Sequence, residues 1–548
     1  MARLGRLSPH ATRAGAGLVL GMACVPPLAV TLVALAWWPE AEAWRGLLAH
    51  PTFWVALRHS VFSATLATAL AWLTCAAWCR WVMRQAQPGR LQRALPTMLA
   101  TPHVALAVGV GLWLAPSGWL LRLFSPWATG FEWPPGWSTT QDPWALSLAL
   151  VLWLKEAPFL CWVAAAHLQH RTHRQDWTRA LVVAQTLGHG PNRAFALAVW
   201  PQLAPRLRWA LLAVWAYGVS VVDVALVMGP TNPPTLAVSA WQGLHHGSSV
   251  QQGMGVAATW LVAALALAPV AWWWLRGTGL ARAMAWLNAA VARCSPAALG
   301  LRWGAWLYAA VWLALSVGSV MGPWPFPDLL PSAWSPAAWA SVLQAGHTLS
   351  DTVGLAVGAA SLSVAYTVLW LECVPPQWQR RWQWLLWLPL VLPQVFWAMG
   401  LYGLALRVGA EGQWWAVCVA HAVMAVPYVW LVLAPAWHRV PAQHAVVMAT
   451  LGRSPWAYRW HVKWPMLVPA VWVAWAMGYA VGLAQYLPTL AVGAGRLSTV
   501  TTEAVALSAG GQRVVGSAYA LVQMLLPLAV FAGAHWAARG QRVGGKVA

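Results

Sequence analysis

Apolar residues in this chain come in long unbroken runs, not in alternation and not in narrow helical stripes. Twelve such runs follow one another, at approximately 15–38, 56–79, 93–114, 144–168, 207–229, 254–276, 303–322, 350–372, 382–406, 412–436, 467–492 and 514–536. About 20 mainly apolar residues cross a bilayer as one helix. The pattern therefore predicts an all-α, polytopic membrane protein of about twelve transmembrane helices. Pro and Gly interrupt the third, seventh and eleventh runs; inside a bundle, neighbouring helices re-satisfy the backbone groups such breaks release.

Between the fourth and fifth runs, and again between the tenth and eleventh, the pattern turns amphipathic, and these two stretches are copies. The first is Leu181 to Pro205 (LVVAQTLGHGPNRAFALAVWPQLAP) and the second is Ala445 to Pro469 (AVVMATLGRSPWAYRWHVKWPMLVP). Thr186-Leu187-Gly188 matches Thr450-Leu451-Gly452, and Pro201 and Pro205 match Pro465 and Pro469, all at one offset of 264 (452 − 188). Self-similarity without a gap marks a duplication. Weaker echoes extend it. Arg58-His59-Ser60 parallels Gly346-His347-Thr348, Thr101-Pro102-His103 parallels Leu392-Pro393-Gln394, and Ala157-Pro158-Phe159 parallels Val426-Pro427-Tyr428. Both copies run in the same direction, so the repeat is parallel, with a pseudo-twofold axis along the membrane normal. The expected division is 1–290 and 291–548, with the repeated loops at 176–206 and 440–470.

Within the first loop, a short helix is expected from Asp176 to Leu187. Gly188-His189-Gly190-Pro191 breaks it, a second helix resumes over Ala194–Trp200, and Pro201 bends it before the fifth run. The second loop repeats this with Val446–Leu451, a turn at 452–455, and Trp456–Trp464.

Composition supports the membrane reading: 60% of residues are hydrophobic and 8% charged, with a mean hydropathy of +0.57. A soluble domain carries roughly 25% charged residues. The net charge of +21 would suggest nucleic acid in a soluble protein. Here its placement excludes that partner, because the basic residues fall in alternate loops. Arg3, Arg6 and Arg13 precede the first run. Arg80, Arg84, Arg90 and Arg93 follow the second, Arg171 to Arg208 the fourth, Arg276 to Arg302 the sixth, Arg380 and Arg381 the eighth, and Arg439 to Lys463 the tenth; Arg539, Arg542 and Lys546 lie in the tail. Positive loops stay cytoplasmic, so both termini and both repeated loops are expected inside. The basic start and first apolar run resemble a signal peptide, but the run exceeds the 7–15 residues of a signal core, and a retained span is expected. The loops at 132–142 and 230–253, rich in Pro, Gly and polar residues, are expected outside as connections.

Seven cysteines are scattered and are expected as buried thiols; Cys75 and Cys79 share a helix face but find no further ligand, so no metal site is expected. The 47 tryptophans suit interface anchoring and packing. Gly540 to Val547 nearly fits a phosphate-binding loop, but Val547 lacks the hydroxyl that would hold Mg²⁺.

The Gly-to-Pro spacing of the repeated loops resembles the EAA loop of ABC importer permeases: Glu-Ala-Ala, three residues, Gly, nine residues, Ile, one residue, Leu-Pro. Gly188 and Pro201, and Gly452 and Pro465, match it; Ala184 matches the last Ala, and Val462 stands at the Ile position. Val182 and Val446 occupy the Glu position, and Trp200 and Trp464 the Leu position. The whole layout resembles the fused two-copy iron(III)- and thiamine-type permeases. Gln485-Tyr486-Leu487-Pro488-Thr489-Leu490, Gly493 and Thr499 to Ala504 look most like the thiamine-type members. The resemblance implies an ATP-driven importer of the bacterial inner membrane. Ala184, Leu187, Gly188, Pro201, Leu451, Gly452 and Pro465 would couple it to two copies of a separate cytoplasmic ATPase. ATP and Mg would bind those partners and no cofactor this chain, which would itself be no enzyme. An external solute-binding protein would deliver a small solute, with thiamine, iron(III) and polyamine-like cargoes all compatible.

Ionisable groups within apolar runs are costly and point to function or pairing. Lys155 and Glu156 lie in the fourth run, on different faces of its helix, and either line the path or pair with neighbouring helices. Asp223 lies in the fifth, where the second copy has Leu487 (487 − 223 = 264). An anion on one side only would suit a cationic substrate, or would neutralise Lys155 or an Arg. His421, Gln485 and Tyr486 are further candidates for the path. Asp351 and Glu372 are expected to reach water. The alternative is a major-facilitator-type secondary transporter, which shares the six-plus-six parallel repeat. Its acidic and basic Gly-rich signature is missing between Arg80 and Arg90, and it gives no account of the twin loops. A polytopic enzyme would need clustered acids, His or Cys, and only twelve acidic residues are present, widely scattered.

Overall fold

The computed structural model describes residues 27–84, 95, 98–168, 171–276 and 298–544, where regular structure is helical apart from one isolated bridge, Met321 to Trp334. Most of the predicted first span's start, the loop around Arg90, much of the basic connection after Arg276, and Val547 lie outside the described residues, as do Cys24 and Cys294. The first half contains α1 (Pro27–Ala36), α2 (Ala41–Ala49), α3 (Phe53–Arg84), α4 (His103–Leu114), α5 (Leu146–Leu168), α6 (Arg171–Thr186), α7 (Arg208–Ser220), α8 (Asp223–Met228), α9 (Leu236–Leu244) and α10 (Ser249–Arg276). The second contains α11 (Ala298–Gly318), α12 (Ala337–Gln344), α13 (Gly346–Cys373), α14 (Trp384–Val391), α15 (Gln394–Arg407), α16 (Trp414–His438), α17 (Gln443–Thr450), α18 (Trp464–Leu483), α19 (Leu487–Gly493), α20 (Val500–Ala509) and α21 (Arg513–Gly544).

The all-α polytopic expectation holds. Eight described helices are long and apolar enough to cross a bilayer, or nine if the segments 376–391 and 394–407, bent by 103°, form one span. The predicted fifth span is two pieces, α7 and α8, and Val221 between them is extended (φ −64°, ψ 133°). Three valines at 219, 221 and 222 resist helix there through restricted χ1. The predicted eleventh span breaks at the matching place, after Leu483, and Pro488 opens α19. Different residues produce the same break, so it belongs to the repeat rather than to one local sequence. Of the predicted first span only 27–38 lies among the described residues, and it carries α1; the predicted seventh span is covered by α11.

The offset of 264 continues to the far end of each half: α9 and α20 begin at 236 and 500, α10 and α21 at 249 and 513. The Ser60 hydroxyl accepts the Leu236 amide at 2.8 Å, and the Thr352 hydroxyl accepts the Val500 amide at 2.8 Å. Ser60 therefore corresponds to Thr352, not to Thr348. The sequence alignment of those helices slips by four residues, about one turn, which leaves the apolar pattern nearly unchanged and so gives no warning.

Each half packs α3 or α13 at its centre, against α5 and α7 or α16 and α18. The opening helix of each copy crosses to the other half. On α15, Gly400 and Gly403 admit α1 so closely that a Cβ at Gly400 would sit 2.5 Å from the Val30 carbonyl. On α4, a Cβ at Gly109 would sit 2.5 Å from Val311 of α11. Tyr308 and the Ala310 carbonyl of α11 reach Leu154 and Trp113 by hydrogen bonds of 3.0 and 3.1 Å. In lipid, where apolar contact alone distinguishes partners weakly, such small-residue approaches fix helix pairs.

Candidate functional site

Two regions bring together the residues singled out from sequence. The first is the pair of repeated loops. Helix α6 ends before Gly188 (φ +85°) and α17 before Gly452 (φ +68°). Positive φ is inexpensive only for glycine, and no atom lies near the space a Cβ would fill at either position. After the turn, Pro191 and Pro455 open matching short helices, with the Ser454 hydroxyl accepting the Ala457 amide in the second. Each then widens into a π-turn in the same register, Phe195–Val199 and Arg459–Lys463, where Trp200 N–H bonds to the Phe195 carbonyl and Trp464 N–H to that of Arg459. Pro201 and Pro465 come next and have no N–H to continue an α-helical ladder. The chain accommodates them by the wider turn and stays helical through both prolines. The first helix spans Arg171–Thr186 rather than 176–187, and the resumed helical path runs from Pro191.

Apolar side chains are exposed at equivalent places on both loops. Val182, Val183 and Leu187 are 54%, 57% and 72% exposed; Val446, Val447 and Leu451 are 62%, 53% and 68% exposed. Ala184 is buried beneath the first trio. The attachments of the two loops differ. In the first, Phe195, Val199 and Trp200 are buried, Trp200 meets Trp72 of α3 at 4.8 Å between ring centroids, and Arg84 donates to Asn192 at 2.7 Å. In the second, Arg459 and Lys463 replace Phe195 and Val199 and pair with Glu372 of α13 at 2.7 and 2.5 Å. Glu372, expected to reach water, is 18% exposed and also anchors an ion-pair clamp.

The second region lies where α7 breaks. Asp223, at the start of α8, is 8% exposed, and its Oδ1 has no hydrogen-bond partner. Glu156 of α5 is equally buried and contacts His103 Nε2 of α4 at 3.2 Å. The His103 ring lies 4.7 Å from that of Tyr217 on α7. Asp223 is within electrostatic reach of His103, Tyr217 and Tyr486, and Glu156 of Tyr217 and Tyr428. Lys155 lies within electrostatic reach of Glu156, but its hydrogen bonds go elsewhere. Its ammonium donates to the Met98, Leu99 and Thr101 carbonyls at 3.3, 2.9 and 2.5 Å, closing the chain end just before the Pro102 break. His421 Nε2 meets the Thr489 hydroxyl at 2.8 Å, and that hydroxyl donates to the Gln485 carbonyl at 3.0 Å. Gln485 itself donates to Val481 at 3.1 Å. His421 and Gln485 thus brace the break between α18 and α19, with Tyr486 beside it.

Sequence reasoning passed over His103, Tyr217 and Tyr428. The signal for His103 was present: it is the first residue after the Pro102 break, where the second copy has Gln394. Among the described residues, no three His, Cys, Asp or Glu side chains are grouped to hold a metal ion. Cys75, Cys79, Cys161 and Cys418 are buried free thiols and Cys373 is exposed.

No family model matches the chain. Along nearly its whole length it is similar to the inner membrane ABC transporter permease protein YnjC of Escherichia coli strain K12: 35% identical over 510 residues, 92% of each chain. A shorter stretch is 30% identical over 127 residues to the molybdenum transport system permease protein ModB of Mycobacterium tuberculosis, covering 21% of this chain and 48% of ModB. Another is 25% identical over 211 residues to the putative 2-aminoethylphosphonate transport system permease protein PhnV of Salmonella typhimurium, covering 35% of this chain and 79% of PhnV.

Proposed function

The chain belongs to the ABC transporter permease family, a transport subunit rather than an enzyme, and from that premise we propose how it works and what it carries. Two copies of a cytoplasmic ATPase dock on the twin loops, one on Val182, Val183 and Leu187, the other on Val446, Val447 and Leu451. ATP closes the ATPases and draws the loops together. Each loop continues through its π-turn into α7 or α18, so the motion reaches the breaks at Val221 and Ala484. The halves, 1–290 and 291–548, rock about their shared axis, and the path opens to the outside, where a binding protein delivers a small solute. Thiamine or iron(III) is the cargo this reading favours. Both termini and both loops lie on the cytoplasmic side, in keeping with the basic residues around them.

One observation carries the docking: two equivalent apolar trios are held out from the surface at one offset. Isolated exposed leucines need no explanation, but a patch duplicated with its supporting turn marks an interaction surface. The complex of permease and ATPases, reconstituted in nanodiscs, tests it. Leu187→Asp with Leu451→Asp should leave the permease folded and release the ATPases. Co-purification at the wild-type ratio with full ATP hydrolysis would remove the loops as docking sites.

A further inference from the structure

We propose that Glu156, His103 and Asp223, with Tyr217, Tyr428 and Tyr486, form a cation site between the two halves, and that the cargo is an organic cation bearing a charged ring or a quaternary nitrogen. This rests on the importer reading and specifies the chemistry of its path. The carboxylates come from one half only. At the equivalent positions the second half has Leu487 for Asp223, Ala425 for Glu156 (offset 269, set by Pro158 and Pro427), Gln394 for His103 and Val481 for Tyr217. The second half contributes Tyr428 and Tyr486 instead, which lie within electrostatic range of Glu156 and Asp223 respectively. A site built from both halves, beside the break in α7, changes shape when the halves move.

The polarity of the site follows from its unmatched group. Glu156 has His103 at 3.2 Å, whereas Asp223 Oδ1, on a residue 8% exposed, has no partner. Lys155, the nearest amine on α5, is held by three backbone carbonyls. A buried carboxylate oxygen left without a donor is costly unless an occupant supplies the positive charge. An oxyanion would meet two carboxylates. Metal ions fit poorly, because among the described residues Glu156, His103 and Asp223 are not grouped closely enough to hold one. Three tyrosines within electrostatic range of two carboxylates suit a weakly hydrated organic cation, which aromatic faces attract electrostatically.

Equilibrium binding to the permease–ATPase complex in nanodiscs tests this, with labelled thiamine, choline and N-methylpyridinium as cations, and ferric citrate and molybdate as counter-probes. At least one organic cation should bind saturably and both counter-probes should fail. Asp223→Asn and Glu156→Gln should each weaken binding at least tenfold, Asp223→Glu should retain most of it, and Asp351→Asn, outside the cluster, should change nothing. ATPase assembly and basal ATP hydrolysis, measured on every variant, separate lost binding from lost folding. Failure of all three cations, binding of molybdate or iron in their place, or wild-type affinity in Asp223→Asn would overturn the cation site. Absence of ATPase assembly in the wild type would instead overturn the importer reading.

Discussion

Lys463 Nζ lies 2.5 Å from Glu372 Oε2, and Arg459 Nε lies 2.7 Å from Oε1 of the same carboxylate. The second loop is thus tied to the end of α13 by charge, where the first is tied to α3 by tryptophan packing. Lys463 also sits over the Trp437 ring at 4.2 Å, which keeps the pair partly out of water.

The two attachments should respond differently to salt. Glu372→Gln removes a two-armed, part-exposed pair, worth about 1 kcal/mol after screening. Coupled ATP hydrolysis should fall roughly fivefold, the equivalent of that energy. Raising ionic strength should weaken wild-type coupling and leave the variant flat. Equal salt dependence in both proteins would contradict the clamp.

Gly188 and Gly452 adopt positive φ, yet nothing crowds either position. Their variants therefore separate backbone strain from steric clash. Gly188→Val or Gly452→Val should cost about 1–2 kcal/mol and shift the loop relative to its helix. Gly→Asn, which tolerates this conformation, should cost little. The ratio of transport to ATP hydrolysis is the readout, and a harmless valine would place the required conformation elsewhere.

Lys155 is expected to matter for stability rather than selectivity. Lys155→Met leaves three carbonyls without their donor and should destabilise the chain by about 3 kcal/mol. Thermal unfolding in detergent should drop, with transport falling only in proportion to the folded fraction. A change in cation preference at unchanged stability would put Lys155 back on the path.

Asp142, outside the spans, accepts the amides of Trp144, Leu146 and Ser147 and the Ser147 hydroxyl at 2.7–3.0 Å. Burial pushes its carboxyl upward, but the Ser147 and backbone donors outweigh this and hold it below its ordinary range. A depressed folded value stabilises above the unfolded value, near 4, and that stabilisation is lost as pH falls through the folded one. Asp142→Ala should cost about 1–2 kcal/mol at pH 7, as for other helix caps. The gap to wild type should close as pH falls below about 4. A gap independent of pH would mean packing, not ionisation, sets the effect.

Sequence alone determined the membrane class, the duplication and the twin loops. Each is a local property: run length against bilayer thickness, identity at a fixed offset, and Gly and Pro imposing turns wherever they stand. It also placed Glu156 and Asp223 within the apolar runs, where ionised groups demand a reason. Tertiary structure decided what those groups meet. Lys155 and Glu156 are neighbours in sequence, yet one closes off backbone carbonyls and the other faces His103, because successive residues on a helix point about 100° apart. The crossing of α1 and α11 onto the opposite halves was equally out of reach. Their apolar surfaces fit either half by composition, and only the close approach allowed at Gly400 and Gly109 selects one. The break after α7 falls on Val221 and Val222, with no Pro to impose it. Valines disfavour helix there, but the second half breaks at the matching place with other residues, so the repeated architecture sets the position.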